Sequence, residues 1–290
     1  MFLIAVAVVA GGPRESVAGP IRDRLAQRRG AAPLPATPGT SRRTVAVDGQ
    51  DRTFLVHPPP GDPAAPLPVV LSFHGLGSDP EQEERISRFS ELADREGFLA
   101  VYPQGLGKKW RVFDRSDTDL RFFDALLATL AEEFQLDSRR VYATGISNGA
   151  QMAWRLACDR PAQLAGVGLV SGGYSNVCGD QRPSAVLFHG TADHLLPYSG
   201  RFGQMNVRSF AIGWSGARQC ASEGAAQAEV VYEHGDARGE RWTCGSREAV
   251  LYTLTGKGHS WPGSSMPSAV TSADVDASEV MWRFFRQHTR

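Results

Sequence analysis

Cysteine is scarce in this 290-residue chain. The four present, Cys158, Cys178, Cys220 and Cys244, include no C-x-x-C pair, so neither a zinc site nor a dithiol redox centre is expected. Excess charge of either sign is missing as well: 31 Lys and Arg stand against 31 Asp and Glu. That balance argues against nucleic acid or an anionic membrane surface as the main partner. The apolar start, MFLIAVAVVAGG, falls short of the about 20 residues that a bilayer span takes, and no internal repeat is visible. No metal, cofactor or membrane-spanning segment is therefore expected.

What is present suits one large α/β domain. Hydrophobic residues make up 42% of the chain, enough for a sizeable core without a second domain. The apolar start has the length of a signal-peptide h-region, with alanines up to Ala10 for cleavage. A basic n-region is missing, so the true start is expected upstream; a buried strand is the competing reading. Arg14, Arg22, Arg24, Arg28, Arg29, Arg42 and Arg43, against only Glu15 and Asp23, make a basic, solvated arm. Residues 31–40, AAPLPATPGT, form a linker. Residues 1–40 are thus expected to be leader, arm and linker, and 41–290 a single catalytic domain exported to the periplasm or the medium. In an exported chain an even number of cysteines favours disulfides. Four cysteines allow three pairings. The polar 220–244 interval, with Gly224, His234-Gly235-Asp236 and Gly239, reads as a loop that reverses. It favours Cys220–Cys244, which leaves Cys158–Cys178.

Strand and helix patterns alternate. Arg43–Val47 and Arg52–His57 flank Asp48-Gly49 as a hairpin. Pro68–Phe73 is an apolar run of the kind found in buried parallel strands. Residues 81–96 carry Ile86, Phe89, Leu92 and Ala93 on one helical face. Phe98–Tyr102 follows as a strand, and Asp119–Phe134 is the clearest helix. Arg140–Thr144 reads as a strand and Ala150–Cys158 as a helix. Leu164–Val170, Ser184–Phe188 and Val250–Leu254 are further strands. Asp276 and Glu279 form a capping box for a last helix. The pattern implies a mostly parallel central sheet with helices on both faces, in which function gathers at the carboxyl ends of the strands.

The stretch GISNG at 145–149 puts Ser147 between two glycines at a strand-to-helix junction. Such a turn lifts a serine hydroxyl above the sheet. A serine nucleophile needs a base, and the base an orienting carboxylate. Of seven histidines, His57 precedes three prolines and reads as surface. His74 and His189 precede glycine and suit local hydrogen bonding. His234 reads as loop, His288 as helix, and His194 adjoins the candidate acid. His259, in a glycine-bracketed loop after the last strand, is the candidate base. Asp193, just past a strand, is the candidate acid; Asp180, Asp236 and Asp274 lack a clear preceding buried strand. The order Ser147, Asp193, His259 is that of α/β-hydrolases. A developing oxyanion needs preorganised N–H donors, and the backbone of Asn148 and of Leu76, in His74-Gly75-Leu76-Gly77, is placed to supply them.

The chain resembles esterases of the polyhydroxybutyrate depolymerase type, relatives of the feruloyl and acetyl-xylan esterases of the first carbohydrate esterase family. The matching stretches are LSFHGLGSD at 71–79, VYPQG at 101–105 with Trp110, GISNGAQMAWRLAC at 145–158, LFHGTADHLLPY at 187–198 and GKGHSWPG at 256–263. The resemblance implies an α/β-hydrolase fold, export, a Ser147–Asp193–His259 triad and cleavage of short acyl, hydroxyacyl or hydroxycinnamoyl esters without a cofactor. His194 departs from the proline common there. With no chain beyond Arg290 for a polymer-binding module, soluble esters or oligomers are the expected substrates. Trp110 and Trp261 are candidates to stack on an aromatic or sugar ring. A serine peptidase of the same fold and an inactive hydrolase-fold binding protein are the alternatives. The first lacks an evident acidic pair for a peptide amine, and the second predicts a lost triad residue.

Overall fold

The computed structural model describes residues 39–61, 66–114, 116–201, 203–220 and 227–290. The apolar start, the basic arm up to Arg29 and the linker up to Pro38 lie outside them. The first strands are β1 (Ser41–Val47) and β2 (Gln50–His57). They turn at Asp48-Gly49, both with positive φ, the geometry that two-residue hairpin loops favour. Next come β3 (Leu67–Phe73), α1 (Pro80–Ser87), α2 (Phe89–Glu96), β4 (Leu99–Pro103), α3 (Thr118–Glu133), β5 (Leu136–Ile146) and α4 (Asn148–Asp159). The remainder is β6 (Gly166–Val170), β7 (Ser184–Gly190), α5 (Val207–Ser215), α6 (Ala217–Cys220), β8 (Glu229–His234), β9 (Ala237–Cys244), β10 (Arg247–Leu254) and α7 (Ala277–Phe285).

The strands form one ten-stranded sheet in the order β1-β2-β4-β3-β5-β6-β7-β10-β9-β8. The six from β4 to β10 run parallel, and antiparallel pairs close both edges. Alternate side chains feed two cores, as the period of a strand requires. Val69, Leu71 and Phe73 join one with Phe123, Met152 and Trp214. Val70, Val186 and Phe188 join the other with Phe89, Met281 and Phe285. Register aligns the strand ends: Phe73 faces Gly145, Ile146 faces Val170, Val170 faces Phe188, and Gly190 faces Leu254. The segments after β3, β5, β6, β7 and β10 therefore leave from one edge.

Four expectations are corrected. The helix over 81–96 is broken at Arg88, which has φ 54°. The first half turns Glu81, Glu83 and Glu84 inward, whereas the second buries Phe89, Leu92 and Ala93 in the core against which Ile86 also packs. His57 is buried, not surface; its ring bonds Thr40 Oγ1 and Asp94 Oδ1, each at 2.8 Å. That places Thr40 in the fold rather than in a linker. The 220–244 interval is not a plain loop, because β8 and β9 form a hairpin within it. Helix α5 is an addition to the sequence pattern; Asn206 caps it by accepting from the Ser209 N–H.

Disulfides join Cys158 to Cys178 and Cys220 to Cys244, with Cα separations of 5.0 and 5.6 Å. The first ties the end of α4 to the segment after β6, and the second ties the end of α6 to the end of β9. Each closes a loop whose restriction in the unfolded chain is worth about 3 kcal/mol in the chain-entropy model.

Glu83 is fully buried. One carboxyl oxygen accepts from Ser72 Oγ at 2.7 Å, and the other has no partner among the described residues. Burial raises its pKa from the ordinary 4.5 to about 8. The folded protein thus holds a proton there that the unfolded chain has released. The stability this contributes is complete below about pH 4.5 and is lost as pH rises through about 8. Glu83→Gln, which mimics the protonated acid, should match the wild type near pH 5. It should be more stable by a few kcal/mol at pH 9. Urea unfolding at both values checks this, and parallel pH profiles for the two proteins would refute it.

Candidate active site

Ser147 sits between β5 and α4 with φ 58° and ψ −120°, a region in which side chains other than glycine are strained. Hydrogen bonds hold it there: its N–H donates to Val170 O at 2.9 Å, and its carbonyl accepts from the Gln151 N–H at 3.1 Å. The flanking glycines are required by contact. A Cβ on Gly145 would lie 2.3 Å from Phe73 O, and one on Gly149 only 1.8 Å from it. The helix can start this close to β3 only because both positions lack a side chain.

Asp193 and His259 meet. His259 Nδ1 lies 2.8 Å from Asp193 Oδ2, with the carboxylate buried and the imidazole 16% exposed. A carboxylate only accepts, so Nδ1 carries the proton and Nε2 is the nitrogen left to act as a base. Asp193 Oδ1 accepts from the N–H groups of Leu195 and Leu196, each at 2.9 Å. Burial by itself would raise the Asp193 pKa. Hydrogen bonds from His189, His259 and Leu196 outweigh it and hold the carboxyl well below its usual range. The acid and base segments are laced together by Ala192 N–H to Lys257 O at 2.9 Å. Ser171, which follows β6, reaches Ser260 O with its hydroxyl at 3.4 Å.

The segment 74–78 lies against the nucleophile: a Cβ on Gly75 would be 3.7 Å from Ser147 Cβ. His74 braces this segment. Its Nε2 accepts from the Gly105 N–H at 3.0 Å, so Nδ1 carries the proton and donates to Gly75 O at 2.8 Å. Burial lowers its pKa to about 4, which makes it a neutral strut near pH 7. The Gly77 N–H donates to Lys108 O at 2.7 Å. The Leu76 N–H has no acceptor among the described residues. Asn148 opens α4, so its N–H is a first-turn donor without an intrahelical partner. These are the two candidate oxyanion donors.

Trp110 and Trp261 are not free to stack on a substrate, since they are 3% and 1% exposed. The Trp110 indole N–H donates to His74 O at 2.9 Å, and its backbone N–H donates to Asn148 Oδ1 at 2.7 Å. It therefore clips the 74–78 segment to the turn around Ser147. Trp261 Nε1 donates to Ser278 Oγ at 3.1 Å, and its ring meets Phe89 edge-on. It anchors the His259 segment to α7 and α2. The exposed large apolar side chains beside the site are instead Leu76 and Leu195, 55% and 53% exposed. Rival acids are engaged elsewhere. Asp236 takes the Ser272 hydroxyl and pairs with Lys257, Asp274 accepts from the Asp236 N–H, and Asp180 is a surface partner of Arg182. His194 is exposed at the rim.

Residues 53–188 match the family model described as "Esterase PHB depolymerase". The chain is 30% identical to the "Putative esterase NocK" of Nocardia uniformis subsp. tsuyamanensis, over 79% of this chain and 76% of that one. The chain belongs to the PHB depolymerase esterase family. Its members are carboxylic ester hydrolases, and so is this protein. Other relatives are feruloyl esterase C of Emericella nidulans and the bifunctional acetylxylan esterase/xylanase XynS20E of Neocallimastix patriciarum. They are 28% and 29% identical, over 57% and 79% of this chain. The chain spans 64% and 32% of their lengths. The α/β-hydrolase fold is shared with an acetyl xylan esterase from Aspergillus awamori, at a TM-score of 0.65 and 16% identity over 84% of this chain and 99% of that one. Thermogutta terrifontis esterase 2 shares it at a TM-score of 0.59 and 16% identity over 87% and 96%.

Tight packing at the turn has a measurable counterpart in this esterase. Gly149→Ala should cost about 3 kcal/mol or more, because a backbone carbonyl occupies the space of the methyl group. Gly179→Ala, at a position with open space around it, should stay within about 0.5 kcal/mol. Denaturant unfolding of the two variants makes the comparison, and equal stabilities would contradict the steric account.

Proposed function

We propose that the protein is an exported serine esterase whose nucleophile is Ser147, base His259 and acid Asp193. The observation that carries the reading is the 2.8 Å contact between His259 Nδ1 and buried Asp193 at the same sheet edge as the strained Ser147 turn. His259 Nε2 takes the proton of Ser147 as Oγ attacks the ester carbonyl carbon. The N–H groups of Leu76 and Asn148 stabilise the oxygen that becomes negative. The imidazolium then protonates the leaving alkoxide, and the alcohol departs. Water, deprotonated by the same nitrogen, cleaves the acyl-enzyme to release the acid and restore Ser147. Throughout, Asp193 stays ionised and holds the ring in the tautomer that presents Nε2.

The substrates fall in the class of short acyl, hydroxyacyl or hydroxycinnamoyl esters, as hydroxyalkanoate oligomers or as acetyl and feruloyl esters. Relatives named feruloyl and acetylxylan esterases support that class, as do the exposed Leu76 and Leu195, which would cover an apolar group flanking the ester. Export is supported by the two disulfides together with the apolar stretch at the start of the sequence. Ser147→Ala should lower kcat on p-nitrophenyl butyrate by about 10⁴-fold while leaving the circular dichroism spectrum unchanged. Near-wild-type turnover by the purified variant would defeat the assignment. Methyl ferulate, p-nitrophenyl acetate and a 3-hydroxybutyrate dimer, run side by side, would rank the acyl groups.

A further inference from the structure

A second histidine, this one buried, touches the candidate acid. His189, near the end of β7, is 2% exposed. Its Nε2 lies 2.7 Å from Leu196 O and 3.4 Å from Asp193 Oδ2, the same carboxylate oxygen that His259 engages. A carbonyl oxygen only accepts, so His189 Nε2 carries a proton, aimed mainly at Leu196 O and in part at the carboxylate. Leu196 is thereby held at both ends, by Asp193 through its N–H and by His189 through its C=O. The His189 ring is seated edge-on against Tyr198 at 5.9 Å, and the Tyr198 hydroxyl bonds Thr253 Oγ1 at 2.9 Å. Thr253 is the β10 residue in register with His189. The chain of contacts therefore runs from the sheet, through Tyr198 and His189, to the acid of the candidate triad.

We infer that His189 is a positioning residue for ester hydrolysis: through Leu196 and Asp193 it fixes the acid against His259 and withdraws part of the carboxylate's charge from the imidazolium. This rests on the triad reading above. The titratable groups facing it are Asp193, His259 and Tyr198, with Glu240 and Arg208 beyond the Tyr198 hydroxyl; His194 is exposed at the rim. Without the His189 N–H, two changes follow. The Leu196 carbonyl is left without its partner, and the 193–196 turn loosens. The carboxylate also bears more of its charge toward His259, which stabilises the imidazolium and keeps the base protonated to higher pH.

The test uses two amides that differ by one methylene. In His189→Gln the amide nitrogen reaches the place of the imidazole Nε2, whereas the shorter amide of His189→Asn cannot. His189→Asn should lower kcat on p-nitrophenyl butyrate about tenfold, leave KM within about twofold, and move the acid limb of the rate profile up by about half a pH unit. His189→Gln should restore both kcat and the limb. The inference is overturned if His189→Asn behaves as the wild type. It is equally overturned if both variants lose activity together with a lowered melting temperature and an unmoved limb, which is what a purely structural role would produce. Nitrogen-15 spectra of the wild-type imidazoles give an answer that needs no variant, because a proton on His189 Nδ1 alone would refute the arrangement. Ser147→Ala, measured beside these, separates the two levels: an active Ser147→Ala removes the triad reading, whereas an inactive one with unaffected His189 variants removes only this inference.

Discussion

The carbonyl of Phe73 comes so close to the turn around Ser147 that neither flanking glycine has room for a methyl group. Much of the site follows from that contact. Strand β3 pairs with β5 up to Phe73 and Gly145, and α4 then packs back over the same strand. The chain between must reverse within one residue, which forces Ser147 into its strained conformation. The segment holding Leu76, a candidate oxyanion donor, departs from Phe73 itself. One close approach thus sets both the attitude of the serine and the distance at which the 74–78 segment stands from it.

The chemistry of the site is easier to read from the sequence than its surroundings. A serine base and its acid are restricted to few residue types, and chain order after the serine, added to a place beyond a buried apolar strand, makes Asp193 and His259 the candidates. Geometry cannot be read the same way for the tryptophans. An indole is equally at home on a sugar ring and in a core, and what decides for Trp110 and Trp261 is the position of His74 O and Ser278, distant in sequence from both. The edge hairpin is hidden for a related reason. Strands such as EVVYEH lie at the sheet edge and bury no residue, so charge interrupts the apolar pattern that marks a central strand. The break at Arg88 is masked because a helical period continues across it while the buried face changes from carboxylates to aromatics.

The histidines illustrate how little residue type says without burial. His57, His74, His189 and His259 all stand at or just beyond strand ends. The first binds Thr40 and Asp94 beneath the sheet edge, and the second is kept neutral by burial. The third lies behind the acid, and only the fourth combines a buried carboxylate on one nitrogen with partial exposure of the ring. Sequence context separates the last from the others by its place after the final strand, but it does not reveal that His57 is enclosed or that His189 shares a carboxylate oxygen with it.

The placement of the candidate acid and base just beyond adjacent strands divides the labour of the site unevenly. β7 and β10 are paired in register to their ends, and a side chain on Gly190 would run into Lys257 O. The candidate proton-handling groups are consequently set by the sheet, with little slack. The surface around Ser147 comes from other stretches, those following β3, β6 and Asp193, of which the one after β6 is tied at Cys178 to the end of α4. A descendant of this chain can therefore exchange residues along those stretches while Asp193 and His259 keep their separation. On the proposed triad, the architecture would keep reactivity and selectivity as separately heritable properties.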